Sequence, residues 1–262
     1  MRFAIALALL AACGRIDFGA RIEPIDAALD APPIDAPLAI ALDDGFPVVM
    51  NENATAGTTV ETPMFSTGAD RMLVAVLVWG TGGTDEQPLS ITGGGLTWAQ
   101  VAYSTFMPGD VPPGTSGNGI WTAYVTQPLM NITVTGTRSS TAETAIMTLG
   151  VYSFANAQPL VGATGSHSDQ TTTTPLEVTV DATAAGSWII GGFHHGEAGM
   201  LRTPDADTIF DVEDDPTMAP NGHFQAVGRY NSVTTGPGPI TIGSATAGTY
   251  SLTSGVEILA AH

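Results

Sequence analysis

One stretch constrains this chain more than any other: Arg71-Met72-Leu73-Val74-Ala75-Val76-Leu77-Val78-Trp79. After the arginine it is apolar without a break and rich in β-branched residues. That is the pattern of a central strand covered on both faces. Asn131–Thr135, Leu176–Val180 and Pro239–Ile242 alternate at period two instead, as half-buried strands do. Further strands are predicted over Thr97–Tyr103, Gly119–Thr126, Ala145–Phe154, Trp188–Phe193, Phe224–Tyr230 and Val256–Ala260. Clusters such as Gly93-Gly94-Gly95, Pro112-Pro113-Gly114 and Gly236-Pro237-Gly238-Pro239 separate them. Helical periodicity is nearly absent. Ten or so short strands with turn-rich spacers predict an all-β fold, a two-sheet antiparallel β-sandwich of jelly-roll type.

The start of the chain reads as an address. Met1-Arg2 precedes ten apolar residues, Phe3 to Ala12, and then the lone cysteine, in Leu10-Ala11-Ala12-Cys13. The run is half the ~20 residues that a spanning helix needs, and its charge, core and small-residue exit match a cleavable signal. The four-residue box resembles that of bacterial lipoproteins. The resemblance implies cleavage after residue 12, acylation of Cys13 and, with Gly14 rather than Asp next, sorting to the outer membrane. Two or three acyl chains, at ~0.8 kcal/mol per buried CH₂, hold a protein at a membrane essentially permanently.

Residues 13–45 read as a tether. Pro24-Ile25-Asp26-Ala27 recurs as Pro33-Ile34-Asp35-Ala36, with Pro32 and Pro37 alongside. Proline blocks helix continuation and the aspartates repel one another, so the segment stays extended at ~3 Å per residue. It reaches up to roughly 90 Å. Phe18–Ile25 or Leu38–Leu42 has the alternative of packing on the domain as a short strand. Cys13-Gly14-Arg15-Ile16-Asp17-Phe18 followed by Asp-Ala-Pro repeats resembles lipoproteins of myxobacteria and their relatives. Residues 46–262 are then expected to form one β-sandwich domain. Within it, Ser66-Thr67-Gly68, Gly94-Gly95-Leu96-Thr97-Trp98 and Ile120-Trp121-Thr122-Ala123 resemble uncharacterised β-sandwich modules of secreted bacterial proteins, which often lie beside carbohydrate-active or adhesive domains.

Composition removes several function classes. Loss of Arg2 from the seven basic residues leaves six arginines against 25 acids, and there is no lysine. Nucleic acid, whose binding depends on cations at phosphates, is not an expected partner. Without lysine there is neither a phosphate-binding P-loop nor a Schiff-base nucleophile. With Cys13 acylated, thiol catalysis and disulfides also fall away.

The candidate sites are few. His194, His195 and Glu197 form the densest ligand cluster, and His223 or His167 would complete a three-ligand zinc site. Adjacent strand residues point to opposite faces, so only one of His194 and His195 can share a site with Glu197 unless a turn intervenes. Hydrogen-bonded loop histidines are the alternative. Asp205, Asp207, Asp211, Glu213, Asp214 and Asp215 offer hard oxygens of the kind Ca²⁺ takes, without the spacing of an EF-hand. The alternative there is a solvated acidic loop. Trp98, Trp121 and Tyr103 are candidates for stacking on sugar rings, against a default of core packing. Ser166-His167-Ser168-Asp169 has the residue types of a hydrolytic triad, but four consecutive residues cannot assemble one.

The expected function is a surface-tethered, non-catalytic binding or adhesion lipoprotein, with carbohydrate as the favoured ligand class and the lipid on Cys13 as its contact with the membrane. Two alternatives come from other classes. One is a metal-dependent hydrolase using Glu197 as base. The other is a structural envelope protein that assembles through its strand edges.

Overall fold

The computed structural model describes residues 38–52, 58–81, 89–105, 116–138, 145–169, 174–196, 202–213, 223–248 and 250–261. Cys13 and most of the expected tether lie outside them, as do Glu197, Asp214 and Asp215. Among the described residues there are strands and no helix. The first eleven strands are β1 (Ala41–Leu42), β2 (Val48–Glu52), β3 (Thr59–Glu61), β4 (Phe65–Thr67), β5 (Arg71–Thr81), β6 (Leu89–Gly93), β7 (Ala99–Thr105), β8 (Ser116–Val125), β9 (Leu129–Ile132), β10 (Val134–Arg138) and β11 (Ala145–Ala155). The remaining seven are β12 (Ala157–Asp169), β13 (Thr174–Ala182), β14 (Trp188–His195), β15 (Thr208–Glu213), β16 (Phe224–Tyr230), β17 (Gly238–Gly248) and β18 (Ser251–Ala260).

The fold is the expected all-β antiparallel sandwich, with more than one interface. One central sheet runs β1-β11-β5-β8-β7, with β2 also paired to β11, and the other runs β12-β18-β14-β16-β15. Smaller sheets cover their outer faces: β3-β10-β6 and β4-β9 on the first, β13-β17 on the second. β5 shows why the run at 72–79 had to be unbroken. Met72, Val74, Val76 and Val78 pack towards the second central sheet, against Ile190, Val227, Val256 and Ile258. Leu73, Ala75, Leu77 and Trp79 pack the other way, against Val60, Ile91 and Val134. A third core joins Leu176, Val178 and Val180 to Ile189, Phe193 and Phe224. Complete burial of a Val or Leu side chain contributes about 1.5–3 kcal/mol, so this double-sided strand contributes more to the fold than any half-buried one.

The chain divides these layers in order. Strands β1–β11 build the first central sheet and its cover, and β12–β18 build the second. Asn156 alone separates β11 from β12, in the left-handed region at φ 56° that asparagine tolerates. Its Nδ2 donates to the Ala39 carbonyl at 3.0 Å and its own carbonyl accepts from the Ala261 N–H at 2.7 Å. Both ends of the described chain are therefore fastened at the junction. The chain also joins the fold before Phe46: Ile40 is buried, Ala41 and Leu42 pair with β11, and Asp43 meets Arg71 at 2.8 Å.

Asn131–Thr135 departs from the single strand that its alternation predicts. Asn131 takes φ 51° and the stretch is divided between β9, which pairs with β4, and β10, which pairs with β3 and β6. Ser166–Asp169 lies extended at the end of β12.

Candidate functional site

β14 runs through the middle of its sheet with both faces covered, so each of its side chains enters one interior or the other. Gly192 and His194 face the first central sheet, where a Cβ on Gly192 would come within 2.8 Å of Val76. Phe193 and His195 face the outer β13–β17 pair. His194 and His195 are both wholly buried, on opposite faces as alternation predicts.

His194 meets His223 from the start of β16. Its Nε2 lies 3.3 Å from His223 Nδ1, with ring centres 5.2 Å apart and planes inclined by 28°. Gly80 of β5 makes the room: a Cβ there would press on the His194 ring. His194 Nδ1 is buried and has no hydrogen-bond partner among the described residues. Burial, then the nearby His223 and His195, hold His194 well below the ordinary imidazole range, and burial lowers His223 too. Both rings are neutral at neutral pH.

His195 is engaged elsewhere. Arg202, itself buried, places Nη2 at 3.1 and 2.9 Å from the two ring nitrogens and donates through Nη1 to the Ala247 carbonyl at 3.0 Å. Gly248 leaves the space for this contact. Burial, then the Arg202 charge, push His195 down to about 4, against an opposing hydrogen bond with the Gly248 backbone. His195 therefore serves as a neutral partner of Arg202 on the far face from His194, and the two do not share a site.

The interface around His194 is polar. Asn118 donates through Nδ2 to the Leu252 carbonyl at 3.0 Å, leaving its Oδ1 without a partner. Thr148 Oγ1 donates to Gln225 Oε1 at 2.9 Å, and Gln225 Nε2 donates to the Ile146 carbonyl at 2.9 Å. Registers place the strand ends flanking 82–88, 106–115, 139–144 and 214–222 at this same end: Gly80 opposite Ser116, Thr81 opposite Ala145, and His195 opposite Phe224. The interior between the central sheets is thus polar at the end where these strand ends lie.

A second polar feature lies between β12 and β13. A groove of about 320 Å³ is lined by Ser166, His167, Thr174, Pro175, Glu177 and Thr179. His167 Nε2 is buried and without a hydrogen-bond partner. Glu177 is raised above the ordinary carboxyl value by burial, then by a hydrogen bond and charge from Asp205. Glu177 occupies the outward phase of the alternating Leu176–Val180 run, a position legible in the sequence. Its pairing with Asp205 was not, because 28 residues separate them.

The expected calcium loop does not gather from the acids that are described. Asp205 accepts from the Ala245 N–H at 3.0 Å and faces Glu177. Asp211 turns inward at an irregularity of β15, accepting from Tyr152 Oη at 2.8 Å and Arg229 Nε at 3.0 Å. Asp207 lies in the turn before β15 and Glu213 at that strand's exposed end. Among the described residues, no three His, Cys, Asp or Glu stand close enough to hold a metal ion. Separate roles scatter the acids that the sequence sets side by side.

The aromatic candidates also divide. Trp121 is 5 % exposed and packed in the core of the first sandwich. Trp98 is half-buried, with Nε1 donating to the Gly93 carbonyl at 3.3 Å, and Tyr103 is half-buried against Trp79 with ring centres 6.1 Å apart. No family model matches the chain, and neither does any curated protein or solved structure.

Proposed function

We propose that this chain is a lipid-anchored lipoprotein of the bacterial outer membrane, a non-catalytic module that binds carbohydrate in the groove between β12 and β13. The groove carries the reading. Its volume of about 320 Å³ sits at the lower end of the ~300–1,000 Å³ usual for ligand sites. Its lining alternates hydroxyls, an imidazole and a carboxyl, which between them donate and accept as a sugar's hydroxyls require. His167 Nε2 offers a buried polar atom with no partner among the described residues, a group that a ligand hydroxyl would satisfy. The anchor rests on Leu10-Ala11-Ala12-Cys13, and the double-sided β5 core supplies the rigid scaffold.

The test is retention of the full chain on a panel of immobilised polysaccharides, beside His167→Ala and Glu177→Ala. Retention of the parent on one polymer, lost in both variants with their melting unchanged, supports the groove. No retention on any polymer, or retention indifferent to both substitutions, overturns it.

A further inference from the structure

We infer that His194 and His223 form a two-imidazole seat for a divalent transition metal of the zinc–copper class, at the polar end of the interface between the two central sheets. The proposal is independent of the carbohydrate reading, since the pair faces the opposite side of the second central sheet from the β12–β13 groove.

Geometry carries it. Two nitrogens each bound at ~2.0–2.1 Å with a tetrahedral angle stand ~3.3 Å apart, and their ring centres, ~1.1 Å further back, stand ~5.2 Å apart. The His194 Nε2 and His223 Nδ1 atoms are 3.3 Å apart and the ring centres 5.2 Å apart. Both separations agree with chelation. A direct N–H···N bond explains them less well. An end-on contact at the observed N···N distance would push the ring centres to ~5.6 Å.

The surroundings fit a ligand role. His194 is held by a strand covered on both faces, and Gly80 leaves the space its ring fills. Among the described residues Nδ1 has no partner and the polar contact of this buried ring is at Nε2. Imidazole suits zinc and copper, and Cu²⁺ stands above Zn²⁺ in the affinity order for such donors. His195 takes no part, being turned away onto Arg202. No third His, Cys, Asp or Glu among the described residues joins the pair, so solvent reaching the half-buried His223 would complete the coordination.

The full chain, stripped with chelator, is titrated with Zn²⁺ alone and with Cu²⁺ alone, and the Cu²⁺ form is examined by electron paramagnetic resonance. One ion per chain and hyperfine structure from two imidazole nitrogens are expected. His223→Ala, at the rim, is expected to weaken binding by no less than the roughly 10- to 100-fold that loss of an outer-shell partner costs. His167→Ala is expected to leave binding unchanged. Absence of saturable binding, binding indifferent to His223→Ala, or a resonance showing fewer than two nitrogens each overturns the seat. The resonance of the parent chain decides the matter even where the variant does not fold.

Discussion

Glu257 and Thr183, 74 positions apart, are joined three times: the Thr183 N–H donates to both carboxylate oxygens, at 2.9 and 3.0 Å, and its hydroxyl donates to one at 2.8 Å. The N–H groups of Ala163 and Ala184 add bonds at 3.0 and 3.2 Å. Glu257 is buried, and Gly162 opposite leaves space for its carboxylate beside the β12 irregularity between Val161 and Thr164. One carboxylate thus ties an irregular edge strand, a turn and the central β18 together.

Glu257→Gln is expected to lower stability by about 1–3 kcal/mol, because an amide accepts at one atom where the carboxylate accepts at two. Burial alone would raise the Glu257 pKa, but the donors from Ala163, Thr183 and Ser187 outweigh it and hold the group below its ordinary value near 4.5. A depressed acid adds stability above its unfolded pKa and loses that stability as pH falls through its folded pKa. Melting curves of parent and variant should therefore differ most at neutral pH and converge below about pH 4.5. A gap that does not change with pH would show that the carboxylate's charge is not what holds the turn.

Asp211 links the two central sheets in the same manner. It accepts from Tyr152 of β11 and from Arg229 of β16, whose guanidinium lies 5.5 Å from the Trp188 ring centre. Tyr152 is wholly buried, and its hydroxyl is pushed well above the ordinary phenol range by burial and then by the Asp211 charge. Asp211→Ala is expected to cost about 2–4 kcal/mol, since it strands a buried hydroxyl and a largely buried cation together. Tyr152→Phe removes only one donor and should cost less. Chemical denaturation of both variants measures the order, and a larger loss from Tyr152→Phe would contradict it.

Much of the fold was legible because strand burial leaves a direct trace in the chain. The unbroken run at 72–79 marked a strand covered on both faces, and β16 lies where Phe224–Tyr230 placed it. β12 was not legible: Gly162, Thr164, Ser166 and Ser168 give it an exposed, weakly apolar edge. The layering depends on glycines, which hydropathy does not rank. Gly150 and Gly192 let the central sheets close to where any Cβ would lie 2.8 Å from Val227 or Val76. The site was half legible. Alternation separated His194 from His195, but the meeting of His194 with His223, and of Glu177 with Asp205, is set by which strands are neighbours. Spacing along the chain does not encode that.

The anchor is testable apart from the fold. Cys13→Ser removes the one cysteine of the chain, the site of the proposed acylation. It is expected to abolish incorporation of labelled fatty acid and to move the protein from the detergent phase to the aqueous phase, with the melting temperature unchanged. Labelling that persists in Cys13→Ser would remove the acylation reading.

Trp79 and Gly117 stand opposite each other on β5 and β8, and the indole lies across the glycine so closely that a Cβ would overlap its six-membered ring. Trp79 is fully buried, so the ring has nowhere to retreat. Overpacking of this kind costs about 1–3 kcal/mol where neighbours can shift, and Gly117→Ala should sit at or above the upper end. Trp79→Leu alone opens a cavity and is also expected to destabilise. Combined, the two changes relieve each other, because the smaller side chain vacates the volume that the new methyl needs. The double mutant should therefore lose less than the sum of the single losses, by about 0.5–3 kcal/mol in a denaturation cycle. Strict additivity would mean that the contact between Trp79 and Gly117 does not set the packing of this core.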